Sequence, residues 1–338
     1  MWLVNNRTPY SADRSWIQDK DANKIWIVVV KATFDIRPDG STRVSDQQVP
    51  VHRTGQCHGK PGESSLKHEA DLLWLKPGTD VLLNGSAWPA PGRMTSSVDV
   101  ELQVGPVRKM LRVTGDRAWR RGIAGVMMSE PEPFEHMPIT YERAFGGWDR
   151  SSPDPAEHRL ETRNPVGTGF LLNADAVIGT RLPNVELPGQ LVSGWKDKPE
   201  PAGFNAIDCA WTPRRELAGT YDDAWRTRRF PLWAADYDPR YGHCAPADQQ
   251  VKNHLRGSER VRLTNLSPHG PLQFNLPRIH PTFQTRFGRE RVEHRGQLCT
   301  VLLEPDHPRV VMAWQTSLVC NHHVDELDMT VVREKRLL

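Results

Sequence analysis

Ile25-Trp26-Ile27-Val28-Val29-Val30-Lys31-Ala32-Thr33-Phe34-Asp35-Ile36 is the stretch that decides the fold. An unbroken apolar run, nearly all β-branched, covers Ile25 to Val30, and Ala32 to Ile36 continues in kind. Branched side chains suit a pleated strand and lose rotamer freedom in a helix. A short continuous apolar run of this type predicts strands buried on one or both faces. Pro38-Asp39-Gly40 then predicts a turn, and Thr42 to Val51 a returning strand.

Further along, Val98, Val100, Leu102 and Val104 alternate with Asp99, Glu101 and Gln103. A period of two buries one face and leaves the other wet. Gly105-Pro106 turns the chain into Val107 to Val113, the expected hairpin partner. Leu72 to Leu75, Val81 to Leu83, Arg260 to Leu266, Gln273 to Leu276, Leu298 to Leu303 and Val310 to Trp314 read as further short strands. With 28 prolines spread along the chain, long helices are excluded. Two short ones are expected: Asp222 to Arg228, and Asp248 to Arg256 with Asp248 as N-cap and Gly257 as stop. The predicted fold is mainly β, with antiparallel sandwich- or barrel-like sheets, long Pro/Gly-rich loops and few short helices. Residues 1–19 read as an N-terminal arm and 20–338 as one β domain. A division into two lobes near 151–164 stays open, because Ser151 to Asn164 reads as a linker or large surface loop. Lys196 to Pro201 is a second candidate.

The chain has 338 residues, 44 Lys+Arg against 41 Asp+Glu, and a net charge of +3. That balance carries no nucleic-acid footprint and no polybasic membrane segment. The longest strongly apolar run, Ile25 to Val30, falls far short of the ~20 residues of a spanning helix. Met1-Trp2-Leu3-Val4-Asn5-Asn6-Arg7 lacks the pattern of a secretory signal. Five widely spaced cysteines fit reduced thiols. The expectation is a cytoplasmic bacterial protein with no nucleic-acid and no membrane partner.

Motifs for chemistry are weak. Gly59-Lys60-Pro61-Gly62-Glu63-Ser64-Ser65 has P-loop residue types in the wrong order and reads as a polar surface loop. Cys57-His58 near His52 and His68, and Cys320-Asn321-His322-His323, lack paired zinc spacing. On a strand His322 and His323 would face opposite sides. No Gly-x-Ser-x-Gly elbow is present. Asp222-Asp223 and Asp236-Tyr237-Asp238 could supply a carboxylate pair for sugar hydrolysis, but read better as a helix start and a hydrogen-bonded loop. Many of the 12 tryptophans adjoin Gly, Pro, Arg or Asp, as core rings pinning loops or as binding hot spots. Arg143 is expected to pair internally, with an acid such as Asp149.

A set of phrases in one order is more specific. It runs Lys31-Ala32-Thr33-Phe34-Asp35, Asp80-Val81-Leu82-Leu83-Asn84-Gly85, Gly115-Asp116-Arg117-Ala118-Trp119, and Pro138 to Gly147 with Arg143, Phe145, Gly146 and Gly147. It continues through Arg163-Asn164-Pro165-Val166-Gly167, Leu182-Pro183-Asn184-Val185-Glu186, Pro213-Arg214-Arg215 with Gly219-Thr220-Tyr221-Asp222 and Trp225, and Ala245 to Gln250. In this order, from about Lys31 to Trp314, the chain resembles the uncharacterised-domain family DUF2169, associated with bacterial type VI secretion loci. The departure from the pattern is Gly242-His243-Cys244-Ala245-Pro246, where Asn is expected before Cys-Ala-Pro; it touches a local turn contact.

The resemblance implies a non-enzymatic adaptor or chaperone. It would bind a toxic effector and help load it onto the PAAR-tipped VgrG spike, with no cofactor, no metal and no catalytic residues to carry over. The residues that the resemblance marks, for fold or for partner binding, are Asn84, Gly85, Asp116, Arg117, Trp119, Arg143, Phe145, Gly146, Gly147, Asn164, Pro165, Arg214, Gly219, Tyr221, Asp222 and Trp225. The competing reading is a carbohydrate-binding or cell-wall-acting β protein of the same locus.

Overall fold

In the computed structural model, which describes residues 2–90, 92–123, 125–321 and 324–335, the run at Ile25 lies within one strand, Lys24–Ile36. Its side chains alternate between two environments. Trp26, Val28, Val30, Ala32, Phe34 and Ile36 enter the main core, while Ile25, Ile27 and Val29 enter a cluster on the opposite face. The strand pairs antiparallel with Ser11–Gln18 on one side and Arg309–Val319 on the other. From Arg309–Val319 this seven-stranded sheet continues through Gln297–Glu304 and Thr79–Leu83 to Gln250–Val251. Thr79–Leu83 runs parallel to Gln297–Glu304, so the sheet is mixed.

The alternating stretch forms the hairpin Ser97–Val104 with Val107–Thr114, Val104 opposite Val107. Val100, Leu102 and Val104 are fully buried, whereas Asp99 and Glu101 pair with Arg112 and Arg108 across the strands. This hairpin lies in a five-stranded antiparallel sheet with Val185–Glu186, Arg260–Thr264 and Leu272–Asn275. A four-stranded sheet joins Leu3–Asn6, Leu327–Glu334, Pro281–Phe287 and Glu290–Arg295. One core draws on all three sheets, with Val28 from the first, Leu102 and Leu263 from the second, and Phe283 and Val332 from the third. The fold is mainly β, and among the described residues no sheet closes into a barrel.

Within the N-terminal arm, Leu3–Asn6 runs parallel to Leu327–Glu334, and Ser11–Gln18 borders the central strand. The segment from Ser151 carries a short strand, Arg159–Leu160, paired with Trp148–Asp149, and ends at the fully buried Asn164.

Three expected elements differ, each because a side chain replaces a backbone partner. The strand expected over Thr42 to Val51 stops at Val44. Beyond it Gln48 takes the place of a neighbouring strand, accepting from Thr33 N at 2.9 Å and donating to Thr33 O at 2.9 Å. Leu72 to Leu75 is coil, held by Gln315 Nε2 on the carbonyls of Asp71 and Trp74. The helix expected over Asp248 to Arg256 is a single 3-10 turn, Ala247–Gln249, followed by the strand Gln250–Val251 on the sheet edge. Buried Gln249 donates to Val81 O and Phe204 O, which pulls the backbone onto the sheet. The other expected helix forms at Asp223–Arg228, where the Asp222 carboxylate accepts from Trp225 N at 2.8 Å. Among the described residues no helix is long and apolar enough to cross a membrane. All five cysteines are unpaired.

Neighbouring positions on the strand Ser97–Val104 separate core from surface energetics. Leu102→Ala should cost about 2–5 kcal/mol in a denaturant titration, whereas Glu101→Ala should cost no more than about 1 kcal/mol. Similar losses at the two positions would contradict the facing described above.

Candidate functional site

The outer face of the seven-stranded sheet meets only a two-stranded ribbon, Gln56–Cys57 with Leu66–His68, among the described residues. Coil segments cover the rest, contributing Val49, Leu72, Ala206, Cys244 and Ala245 to its clusters, and the ribbon adds Leu66. Strand periodicity places Lys31, Asp80, Thr300 and Gln315 on the same face as Val29, Leu82, Leu302 and Ala313. Charged groups there are buried, so each needs a partner.

Asp80 is the hub of this layer. Its carboxylate, fully buried, accepts from Lys76 Nζ at 2.6 Å, Cys244 N at 2.9 Å and His243 Nδ1 at 2.6 Å. Lys76 Nζ also donates to Thr300 Oγ1 at 3.0 Å and stands 3.5 Å from Cys244 Sγ. Two further ion pairs flank it, Lys31–Asp71 at 2.8 Å and Arg214–Glu69 at 2.5 Å. Burial works to raise the Asp80 carboxyl, but Lys76 and the His243 hydrogen bond outweigh it and hold it below the usual range. Burial pushes the Cys244 thiol up to about 12 despite the neighbouring Lys76 ammonium. A cavity of about 40 Å³ opens among Lys31, Asp71, Lys76, Cys244, Thr300 and Gln315. Above it His52 and His68 stack, ring centres 4.8 Å apart. Burial, reinforced by His52 and nearby lysines, lowers His68 to about 3, so the ring is neutral near pH 7.

None of the residues marked by the resemblance lines this cavity; Arg214 reaches its edge only through its partner Glu69. The marked residues divide into three groups that fasten loops. Asn84 donates to Lys67 O and accepts from Asn205, with Gly85 packed against Pro305. In the second group Asp116 accepts from Asn184 and from Arg143, and Arg117 pairs with Glu186 at 2.7 Å. Trp119 is buried with Val177, Leu182 and Val192, and Phe145 meets Phe170 edge-on. Buried Asn164, followed by the turn at Pro165, donates to the carbonyls of Tyr141 and Phe145. Gly146 and Gly147 have φ of 152° and 96°, and a Cβ on Gly147 would lie 2.4 Å from Gly167 O. In the third group Arg214 donates to Tyr241 O and Ile207 O besides its ion pair. Gly219 passes close to Ala234, half-exposed Tyr221 meets Trp225 edge-on, Asp222 caps the helix, and Trp225 Nε1 donates to Leu232 O. Arg143 therefore pairs with Asp116, not with Asp149. The Asp149 carboxylate is taken by the backbone N–H groups of Ser151 and Leu172.

The family model for DUF2169, described as an uncharacterized protein conserved in bacteria, matches residues 21–315. The chain belongs to DUF2169. No curated protein and no solved structure matches it.

In this DUF2169 chain the departure at His243 reaches further than a turn contact, because the imidazole holds the hub carboxylate. Lys76, Asp80, His243 and Cys244 were not distinguishable as a site in the sequence. The adjacent His243-Cys244 was the one available signal. Among the described residues no three His, Cys, Asp or Glu gather as a metal-binding set, and His322 and His323 lie outside the described residues.

Asp80→Asn strands the Lys76 charge and should cost about 3–5 kcal/mol, measured by chemical denaturation; Lys76→Met with Asp80→Asn should recover part of that loss. A double variant no more stable than Asp80→Asn alone would contradict the pairing. His68 sets a pH signature too. Its folded value lies below the ordinary 6.5, so the stability it contributes is complete above about 6.5 and falls as pH drops toward 3. Melting temperature should therefore decline between pH 7 and pH 5, and His68→Gln should flatten that decline.

Proposed function

We propose that this chain is a non-enzymatic adaptor that binds a type VI secretion effector and helps load it onto the PAAR/VgrG spike. The observation that carries the reading is an exposed hairpin, Trp119–Gly122 with Gly125–Met128, which among the described residues pairs with no other strand. Its Ile123 is fully exposed and Met127 is 55 % exposed, with Val126 also in water. Arg120 and Arg121 are exposed beside them, and among the described residues neither has an ion-pair partner. Apolar side chains gathered on an exposed hairpin have no folding role there and fit a protein partner. Methionine adapts to an irregular apolar surface, and arginine adds contacts to acidic groups around it.

The base of this hairpin is where several marked residues act. Trp119 anchors it in the core, the Arg117–Glu186 pair braces the preceding segment, and Asp116 ties it to Arg143 and Asn184. An effector with an apolar depression edged by carboxylates would complement the tip.

Three features weigh against the catalytic and sugar-binding alternative. The buried ionic layer opens onto about 40 Å³, room for water-sized molecules and not for a sugar ring. Of the candidate carboxylates, Asp222 caps a helix, Asp236 holds Thr220, and Asp238 pairs with Arg240. The two exposed tryptophans belong to different segments, Trp2 before the strand Leu3–Asn6 and edge-on to Trp16, Trp148 in the ribbon with Arg159–Leu160, where Arg150 covers its ring at 5.0 Å.

The test is co-purification of the tagged chain with the products of its flanking genes, followed by sizing and light scattering. A complex with a toxin or spike protein is expected. Ile123→Asp with Met127→Asp should weaken it by about 2 kcal/mol or more while changing the stability of the free chain by less than about 0.5 kcal/mol. No complex with any neighbour would overturn the adaptor reading; a complex indifferent to the tip would overturn the assignment of the hairpin.

A further inference from the structure

We propose that Lys76 and Cys244 form a peroxide-driven covalent cross-link, an S–O–N bridge of one oxygen atom between Cys244 Sγ and Lys76 Nζ. The two side chains come from distant segments, and their reactive atoms stand 3.5 Å apart. That separation is too long for a direct sulfur–nitrogen bond and leaves room for a single bridging atom. Both line the cavity of about 40 Å³, which holds a molecule the size of hydrogen peroxide and excludes larger reagents. Bulky thiols and disulfides therefore do not reach Cys244, which is fully buried; its sulfur meets the Asp80 carboxylate at 3.3 Å and the Lys76 amine at 3.5 Å, and of the two only the amine can be joined to sulfur through an oxygen by peroxide. Asp80 and Thr300 fix the position of Nζ through hydrogen bonds of 2.6 and 3.0 Å, so the pair is pre-oriented and not a chance approach of two mobile chains.

The chemistry balances with two equivalents of hydrogen peroxide per cross-link. The S–H bond and two of the three N–H bonds of the ammonium break, and S–O and O–N bonds form. Three waters and one proton leave. Sulfur and nitrogen are each oxidised by two electrons, and the two peroxides are reduced. The proton leaves to solvent with the waters. The bridge would tie the loop carrying Lys76 to the segment carrying Cys244 across the outer face of the sheet, and thiol reductants would release it.

The experiment uses the full chain, purified under reductant, desalted and treated with hydrogen peroxide, then denatured for intact-mass and peptide mass spectrometry. The expected product gains about 14 Da, the mass of one oxygen less two hydrogens, on a peptide pair joined through Lys76 and Cys244. Thiol reductant should restore both free peptides. Cys244→Ser should abolish the product, as should Lys76→Arg, which keeps the charge beside Asp80. Three outcomes would overturn the proposal. One is an unaltered Cys244 peptide after other thiols have oxidised. A second is a gain of about 16 or 32 Da confined to Cys244, the mark of an unlinked sulfur acid. The third is a linked pair about 2 Da lighter than its parts, the mark of a direct S–N bond. Because the decisive reading is made on the unaltered chain, it does not depend on either variant folding.

Discussion

Both faces of the strand Lys24–Ile36 are out of water, and only one of them meets other sheets. On that face Trp26, Val28 and Val30 join side chains of the five- and four-stranded sheets in a single apolar core. The opposite face of its sheet is covered by coil and one short ribbon. Coil brings unpaired backbone groups into the interior, and those groups need partners that no strand ladder supplies. The rest of the architecture answers that need. Gln48, Gln249 and Gln315 bond to backbone where a strand neighbour would otherwise stand, and Asp80 gathers an ammonium, an imidazole and an amide N–H.

A buried ionic layer of this kind is a modest source of stability and a strong source of specificity. Removing both charges of a pair costs less than stranding one of them. The layer therefore selects one arrangement of the covering segments, since any shift leaves a charge without its partner. The same logic appears at Asn164 and at Arg214, each of which donates to carbonyls of distant loops. Loops fastened in this way can carry an exposed element in a fixed orientation. The hairpin ending at Ile123 is held at its base by Trp119 and by the Arg117–Glu186 pair, while its tip stays in water.

Much of the fold was legible because strand periodicity is a local property. Val98 to Val113 read as a hairpin and is one, since alternation and a Gly-Pro turn specify it without outside help. The same local logic placed the helix after Asp222. It failed at Asp248 to Arg256, where an N-cap residue and a terminal glycine describe a helix well. Gln249 and Gln250–Val251 are claimed by the sheet edge instead, a competition that no local window contains. It failed at Leu72 to Leu75 for a similar reason, because Gln315 supplies the partner for those carbonyls. The ionic layer was less legible still. Lys76, Asp80, Cys244 and Thr300 are scattered over more than two hundred positions, and each taken alone is an ordinary turn or strand residue.

By itself the sequence determined the fold class, the central strand, the alternating hairpin and the family, through residue types whose preference is set by their own backbone. It also supplied the ordered phrases whose residues turn out to fasten loops. Only the tertiary structure decided which face of the long sheet is roofed by coil, which charges meet beneath that roof, and which apolar residues are left in water. Those outcomes depend on contacts between segments far apart in the chain, and the pairing of a buried charge is fixed by where its partner arrives, not by what either residue prefers alone.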